Sequence, residues 1–252
     1  GQAWSNEFGD GAARQYVGGT TLVMHYPERS LEQDSNFAGE SGAIANGRFS
    51  GGLYRRYFKR AFDITAVVLA LPIILPVIFV LALLIKRDGG PAFYSHDRIG
   101  RRGETFRFWK LRSMEIDADK RLEEHLAANP QDRAEWIATQ KLKNDPRITR
   151  IGRLIRKSSL DELPQLWNIV KGDMSLVGPR PMMPEQRALY PGRSYYDLRP
   201  GLTGFWQIGD RNNTTFSARA VYDTRYARNL SFLTDIAVLL LTVRTVMRGT
   251  GH

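Results

Sequence analysis

No cysteine occurs among the 252 residues, which excludes disulfides and thiolate metal sites. Histidine is scarce: only His25, His96, His125 and His252 are present. None of them pairs at metal-ligand spacing, so a zinc centre is not expected. Acidic residues are in deficit, 26 against 36 Lys and Arg, for a formal net charge of +10. That balance suits an anionic partner such as a membrane surface, a nucleic acid or a phosphorylated substrate. No helix-turn-helix or RNP-type pattern accompanies the charge, which weighs against nucleic acid. Residues 1–52 lack hydrophobic periodicity and are rich in Gly, Ser, Asn and Gln. They read as a flexible polar tail.

Charge is also absent from one long stretch, Ile64 to Ile85. About 22 residues at about 1.5 Å each are enough to span the hydrocarbon core of a bilayer. Basic residues flank it on both sides: Arg55, Arg56, Lys59 and Arg60 before, Lys86 and Arg87 after. Cytoplasmic flanks carry the Lys/Arg excess, and here both qualify. A straight span puts one cluster outside. A segment that dips in, bends at Pro72 or Pro76 and returns keeps both inside, and an interior proline gives the bend a cause. The run starts far from the N-terminus and lacks a small-residue cleavage site, so it does not read as a signal peptide. Leu53–Phe62 mixes aromatic and basic residues, as an interfacial helix does.

Beyond the run, Asp88-Gly89-Gly90-Pro91 is a loop. Ala92–Tyr94 and Thr105–Trp109 read as short strands around a turn at Arg101-Arg102-Gly103. Asp117–Gln140 suggests two surface helices broken at Asn129-Pro130. Arg147, Arg150, Arg153 and Arg156 recur every three residues, within reach of one helical face. Phe232–Met247 is apolar but interrupted by Asp235 and Arg244, and reads as an interfacial or core helix.

The sharpest chemical signal is Ser158-Ser159-Leu160-Asp161-Glu162-Leu163-Pro164-Gln165. Proline is tolerated in a first helical turn. A helix is therefore expected to begin between Ser159 and Glu162, burying Leu163, Leu166, Trp167 and Val170. In isolation Ser159 and Glu162 fit a capping box, and Asp161 fits an N-cap. The surrounding arginines, the downstream Gly178-Pro179-Arg180-Pro181 and the apolar run suggest a different use, a metal–diphosphate site. A carboxylate can bind Mg²⁺ or attack phosphorus once cations neutralise the phosphates.

Three motifs then resemble one family: Arg153–Gln165, Gly172–Pro181 (Gly-Asp-Met-Ser-Leu-Val-Gly-Pro-Arg-Pro) and Arg199–Gly204 (Arg-Pro-Gly-Leu-Thr-Gly). In this order they are similar to the bacterial monotopic phosphoglycosyl transferases, the initiating sugar transferases of exopolysaccharide assembly. The resemblance runs from about Tyr57 to Arg248 and includes Phe106–Met114. It implies transfer of a hexose-1-phosphate from a UDP-hexose to polyprenyl (undecaprenyl) phosphate with release of UMP, using Mg²⁺. It maps Asp161 to the nucleophile and Glu162, with Asp161, to the metal. Arg156, Arg180, Lys110 and Arg112 would bind substrate, and Pro179 and Pro181 would shape the nucleotide pocket. The membrane bend would lie at Leu75-Pro76, where the family usually has Ser-Pro. Pro200–Ile208 and Tyr222–Tyr226 look most like the galactosyl- and glucosyl-1-phosphate transferases.

The expected fold is α+β and mostly helical. A tail over 1–52 precedes an interfacial helix and re-entrant helix–break–helix over 53–88. A catalytic domain over 89–252 follows, with a small β-hairpin and a C-terminal interfacial helix. The expected location is the cytosolic face of the bacterial inner membrane, with anionic inner-leaflet lipids as partners and a homodimer left open. A non-catalytic membrane scaffold is the alternative of a different class.

Overall fold

The computed structural model describes residues 12–17, 20–25, 52–139, 142–209 and 215–247. Near the N-terminus, β1 (Ala12–Val17) pairs antiparallel with β2 (Thr20–His25), Ala12 opposite His25 and Val17 opposite Thr20. The tail reading overlooked this hairpin. Its signal was Gly18-Gly19 between the β-prone runs Tyr16-Val17 and Thr20–Val23. The rest of residues 1–51 lies outside the described residues.

The apolar run forms α1 (Lys59–Ile85), entered through a π-helical turn at Tyr54–Phe58 and left through a 3₁₀ turn at Lys86–Asp88. The expected break at Leu75-Pro76 is not present as an interruption, since helix is continuous through Pro72 and Pro76. A proline costs a helix one hydrogen bond and does not by itself end it. Buried positions along α1 are Lys59, Asp63 and Val67 near its start and Leu81 and Ile85 near its end. The spacing of four puts each set on one face. Between them Leu69, Ile73, Leu75 and Phe79 stand exposed.

Each end of α1 is docked on the same body. Val67 joins the main core with Phe108, Ile169, Met174, Val177, Tyr226 and Val238. Leu81 and Ile85 join a second cluster with Ala92, Leu111 and Ile155. The basic flank is only partly free for lipid. Lys59 is buried between Asp63 (3.1 Å) and Asp235 (2.8 Å). Tyr54 and Tyr226 donate hydroxyls to Asp235, and Ser175 donates to Asp63. Arg60 donates to the carbonyls of Ile169 and Val170, at the end of a helix, where carbonyls lack partners.

After α1, β3 (Phe93–Ile99) and β4 (Thr105–Leu111) form an antiparallel hairpin in which Tyr94 faces Lys110 and His96 faces Phe108. Its turn is the expected Arg101–Gly103, with Arg102 at φ 61°. The two surface helices are α2 (Ala118–Ala128) and α3 (Pro130–Thr139). Then come α4 (Arg150–Lys157) and α5 (Gln165–Lys171). A parallel pair follows, β5 (Ser175–Val177) with β6 (Gly201–Thr203), spanning the short α6 (Ser194–Asp197). The chain closes with α7 (Phe205–Ile208), α8 (Arg219–Asn229) and α9 (Phe232–Met247). Beyond β6, a Cβ on Gly204 would sit 2.0 Å from the Gly178 carbonyl oxygen. Glycine there lets the Gly-Pro-Arg-Pro loop approach.

The architecture is thus mostly helical with small two-stranded sheets. α9 buries Asp235 and Val238 inward and exposes Leu233, Leu240 and Val243 outward. Such an outer face suits an apolar surround.

Candidate active site

Arg147 is excluded from the expected arginine face. It pairs with Asp145 at 2.6 Å and lies over the Trp136 ring. The helix starts later, where the Thr149 hydroxyl accepts the Gly152 amide hydrogen at 2.8 Å. α4 is seated tightly on the end of the hairpin, since a Cβ on Gly152 would fall 1.9 Å from the Ser113 carbonyl oxygen. That seating carries Arg156, on the last turn of α4, to the hairpin face.

The chain then turns at Ser159, which adopts the left-handed conformation at φ 56°. A non-glycine residue there costs on the order of 1 kcal/mol and marks a constrained site. Leu160–Glu162 form one 3₁₀ turn, and Pro164 caps α5. The capping box is absent, because Ser159 makes no side-chain cap bond. The buried face of α5 is Gln165, Leu166, Asn168 and Ile169, whereas Trp167 is exposed. The extra turn before α5 rotated the expected stripe.

Freed from capping, both carboxylates meet Lys110 of β4. Its ammonium lies 2.9 Å from Glu162 Oε1 and 3.4 Å from Asp161 Oδ2. Asp161 is 7% exposed. Burial raises its carboxyl above the usual range, Lys110 opposes that, and Glu162 adds to it. A buried carboxylate beside a cation is placed for nucleophilic attack.

These residues border a cavity of about 480 Å³, roomy enough for a small-molecule ligand. Ser159, Asp161, Glu162 and Arg156 form one side, Tyr94, His96, Arg98 and Lys110 another, and Arg180 also borders it. Arg98 is held down to about 10, by burial first and then by Arg180. Cations crowded this way favour a bound anion. Arg180 lies over the Trp206 ring at 5.6 Å, and Arg219 lies over the same ring at 4.2 Å.

Arg112, expected to bind substrate, also has a structural role. It borders the cavity, but its guanidinium bonds to Asp88 and to the carbonyls of Ile85, Pro91 and Met114. It ties the end of α1 to the hairpin. Pro179 and Pro181 flank Arg180 from behind, with the Pro179 carbonyl on Gly201 and the Pro181 carbonyl on Arg98. The sequence reading missed Tyr94, His96 and Arg98. Their signal was alternation, since positions two apart on a strand share a face.

Among the described residues no three His, Cys, Asp or Glu side chains cluster to hold a metal. The pair Asp161–Glu162 nonetheless fits Mg²⁺, which is ordinarily held by one or two carboxylates plus substrate phosphates. Lys110 already places a positive charge between the two.

Comparison with known proteins adds to this geometry. Residues 54–249 match the family described as bacterial sugar transferase. The chain is 47% identical over 198 residues to the undecaprenyl-phosphate galactose phosphotransferase of Salmonella typhimurium, covering 78% of this chain and 42% of that one. It is 46% identical over 198 residues to the UDP-galactose-lipid carrier transferase of Erwinia amylovora, covering the same shares. It is 43% identical over 215 residues to the exopolysaccharide production protein ExoY of Rhizobium meliloti, covering 84% of this chain and 92% of that one. The chain therefore spans less than half the length of the galactose transferases and nearly all of the Rhizobium protein. The chain belongs to the bacterial sugar transferase family.

Proposed function

We propose that this bacterial sugar transferase moves a hexose-1-phosphate from a UDP-hexose to polyprenyl (undecaprenyl) phosphate, releasing UMP, as the first membrane step of exopolysaccharide assembly. One observation carries the reading: a buried carboxylate, Asp161, faces a cavity bordered by Lys110, Arg98, Arg156 and Arg180. A diphosphate needs such cations before an anionic nucleophile can approach it. The names of the Salmonella and Erwinia relatives support a UDP-galactose donor and an undecaprenyl acceptor.

The reaction is a double displacement. A carboxylate oxygen of Asp161 bonds to the sugar-bearing phosphorus. The bond from that phosphorus to the bridging oxygen breaks, and its electron pair leaves with UMP. An oxygen of the lipid phosphate then bonds to the same phosphorus, and the Asp161–phosphorus bond breaks to restore the carboxylate. Lys110 favours the ionised form of Asp161 and aligns it. Arg156, Arg180 and Arg98 hold phosphate oxygens. Glu162 with Asp161 would hold Mg²⁺, which would supply positive charge to offset that of the diphosphate.

The membrane reading follows from α1. It is the one described helix long and apolar enough to cross a bilayer, and 11% of its most apolar window is buried. Both its ends dock on one body. A helix that crossed fully would leave one end on the far side, away from that body. This favours a re-entrant, monotopic anchor on the cytosolic face, with Pro72 and Pro76 softening its middle. The exposed face of α9 would lie at the interface. Such an anchor holds Asp161 at headgroup height, where a lipid phosphate and a soluble nucleotide sugar both arrive.

The test is UMP release across a panel of UDP-sugars with undecaprenyl phosphate and Mg²⁺. Release with UDP-galactose or UDP-glucose is expected. Release with no UDP-sugar would refute the reading.

A further inference from the structure

The Gly178-Pro179-Arg180-Pro181 loop is fixed through its backbone. The Gly178 amide donates to the Thr203 carbonyl at 2.9 Å, and the Gly201 amide donates to the Pro179 carbonyl at 2.8 Å. The Arg180 side chain is held differently. Among the described residues its guanidinium has no hydrogen bond and no ion pair. It borders the cavity and lies over the Trp206 ring. Trp206 is buried on α7, directly after the glycine that lets the chain close on the loop.

Arg219, the first residue of α8, lies over the same indole at 4.2 Å and over the Phe216 ring at 4.7 Å. Its Nε is buried and has no hydrogen-bond partner among the described residues. Asp223 attracts it, but that carboxylate accepts the Tyr190 hydroxyl at 2.7 Å and makes no ion pair with Arg219. Burial first, and then Arg180, hold the Arg219 pKa down to about 10. Two guanidiniums therefore share one ring and repel each other, more strongly than they would in water. Elsewhere in the protein, shielded arginines end on acceptors. Arg112 has Asp88 and three carbonyls, Arg147 has Asp145, and Arg199 has the Gly172 carbonyl. Sheltered charge costs stability unless it is paired, so two unpaired neighbours call for a reason.

We infer that Arg219 is a positioning residue for the transfer: with Trp206 it keeps the Arg180 guanidinium at the cavity and unpaired, ready for a phosphate oxygen of the donor's diphosphate. The inference rests on the proposed transfer reaction. Arg219 does not border the cavity, whereas Arg180 does. Arg219 therefore acts through Arg180 and touches no substrate itself. Its repulsion favours the placement of Arg180 that borders the cavity. Trp206 offers Arg180 a ring to lie over without consuming any of its N–H donors. Arg98 adds a third like charge from the cavity itself. An anion that enters the cavity relieves the repulsion among all three, so binding gains what the empty site lacks.

The test is a double-mutant cycle on the full chain in detergent, with undecaprenyl phosphate, Mg²⁺ and the UDP-hexose that the wild type accepts. Arg219→Met keeps a stem between the two rings and removes the charge. It should raise KM for the UDP-hexose and the inhibition constant of UDP about tenfold each. UDP carries both phosphates and no sugar, so it reads the phosphate contacts alone. Arg180→Gln should raise the UDP constant about 30-fold. Arg180→Gln/Arg219→Met should raise it no further, because the second residue acts through the first. Arg219→Lys retains the charge and should recover most of the lost affinity. Asp223→Asn should leave both constants unchanged, since the role of Arg219 is not to offset that carboxylate. If Arg219→Met does not fold, Arg219→Gln takes its place in the cycle. Losses that add in the double variant, wild-type constants in the Arg219 variant, or an equal loss in Asp223→Asn would overturn the inference. A wild type that releases no UMP from any UDP-sugar would instead refute the transfer reaction.

Discussion

Lys110 Nζ lies 2.9 Å from Glu162 Oε1. The same ammonium reaches Asp161, so one cation on β4 organises two carboxylates from another part of the chain. Lys110→Met removes the ammonium that the two carboxylates share. It should lower kcat/KM for UMP release by about 100-fold. An unchanged rate would mean that the pair needs no cation from the hairpin.

The buried Lys59 is the second linchpin. Asp63 is 1% and Asp235 0% exposed, and Lys59 is the ammonium between them. Lys59→Met should destabilise the protein by about 3–5 kcal/mol, because it strands buried carboxylates. Lys120→Ala, at an exposed pair with Glu124, should change little. Thermal unfolding of both variants in detergent checks the contrast.

Asp223 gives a pH-dependent prediction. Its carboxyl is pushed up to about 7, by burial first, against the Tyr190 hydroxyl bond and Arg219. An unfolded Asp titrates near 3.9. Between these values the folded state keeps a proton that the unfolded state releases. Stability should therefore fall as pH rises from about 4 to about 7 and stay lower above. Asp223→Asn keeps an acceptor for Tyr190, which sits at 2.7 Å, and removes the ionisation. Its melting temperature should exceed that of the wild type at alkaline pH, with the gap closing in acid. A gap independent of pH would contradict this.

The sequence contains no cysteine, so labels can be placed cleanly. Gly52→Cys and Arg87→Cys flank α1 at exposed positions. Gly89 is less suitable, being held at φ 85°. In intact inner-membrane vesicles both cysteines should be labelled from the cytosolic side only. Labelling of one from each side would establish a full crossing.

Much of this was legible in the chain, for identifiable reasons. The helix pair around Asn129-Pro130 and the turn at Arg101–Gly103 follow from local rules, and both are found. The Asp161-Glu162 pair was visible as a pattern, but its capping role was a local inference that a distant lysine overrides. Nothing near residue 161 announces Lys110, because the contact crosses 51 positions. Trp167 was expected inside, but the 3₁₀ turn and Pro164 rotate α5 and leave it exposed. Arg112 was expected to bind substrate. Its four partners around the end of α1 depend on tertiary packing that no spacing rule contains. Residues on β3 escaped notice because their strand was read too short.

The nucleophile assignment is tested most directly by exposing the protein to a sugar-labelled UDP-hexose without lipid acceptor. The wild type should release UMP in a burst of up to about one per chain and retain sugar-phosphate label on Asp161. Asp161→Asn nearly preserves shape and makes no cap that could be lost. It should stay folded and membrane-bound, release no UMP and carry no label. Label acquired by the folded Asp161→Asn protein, or UMP release at the wild-type rate, would contradict the assignment.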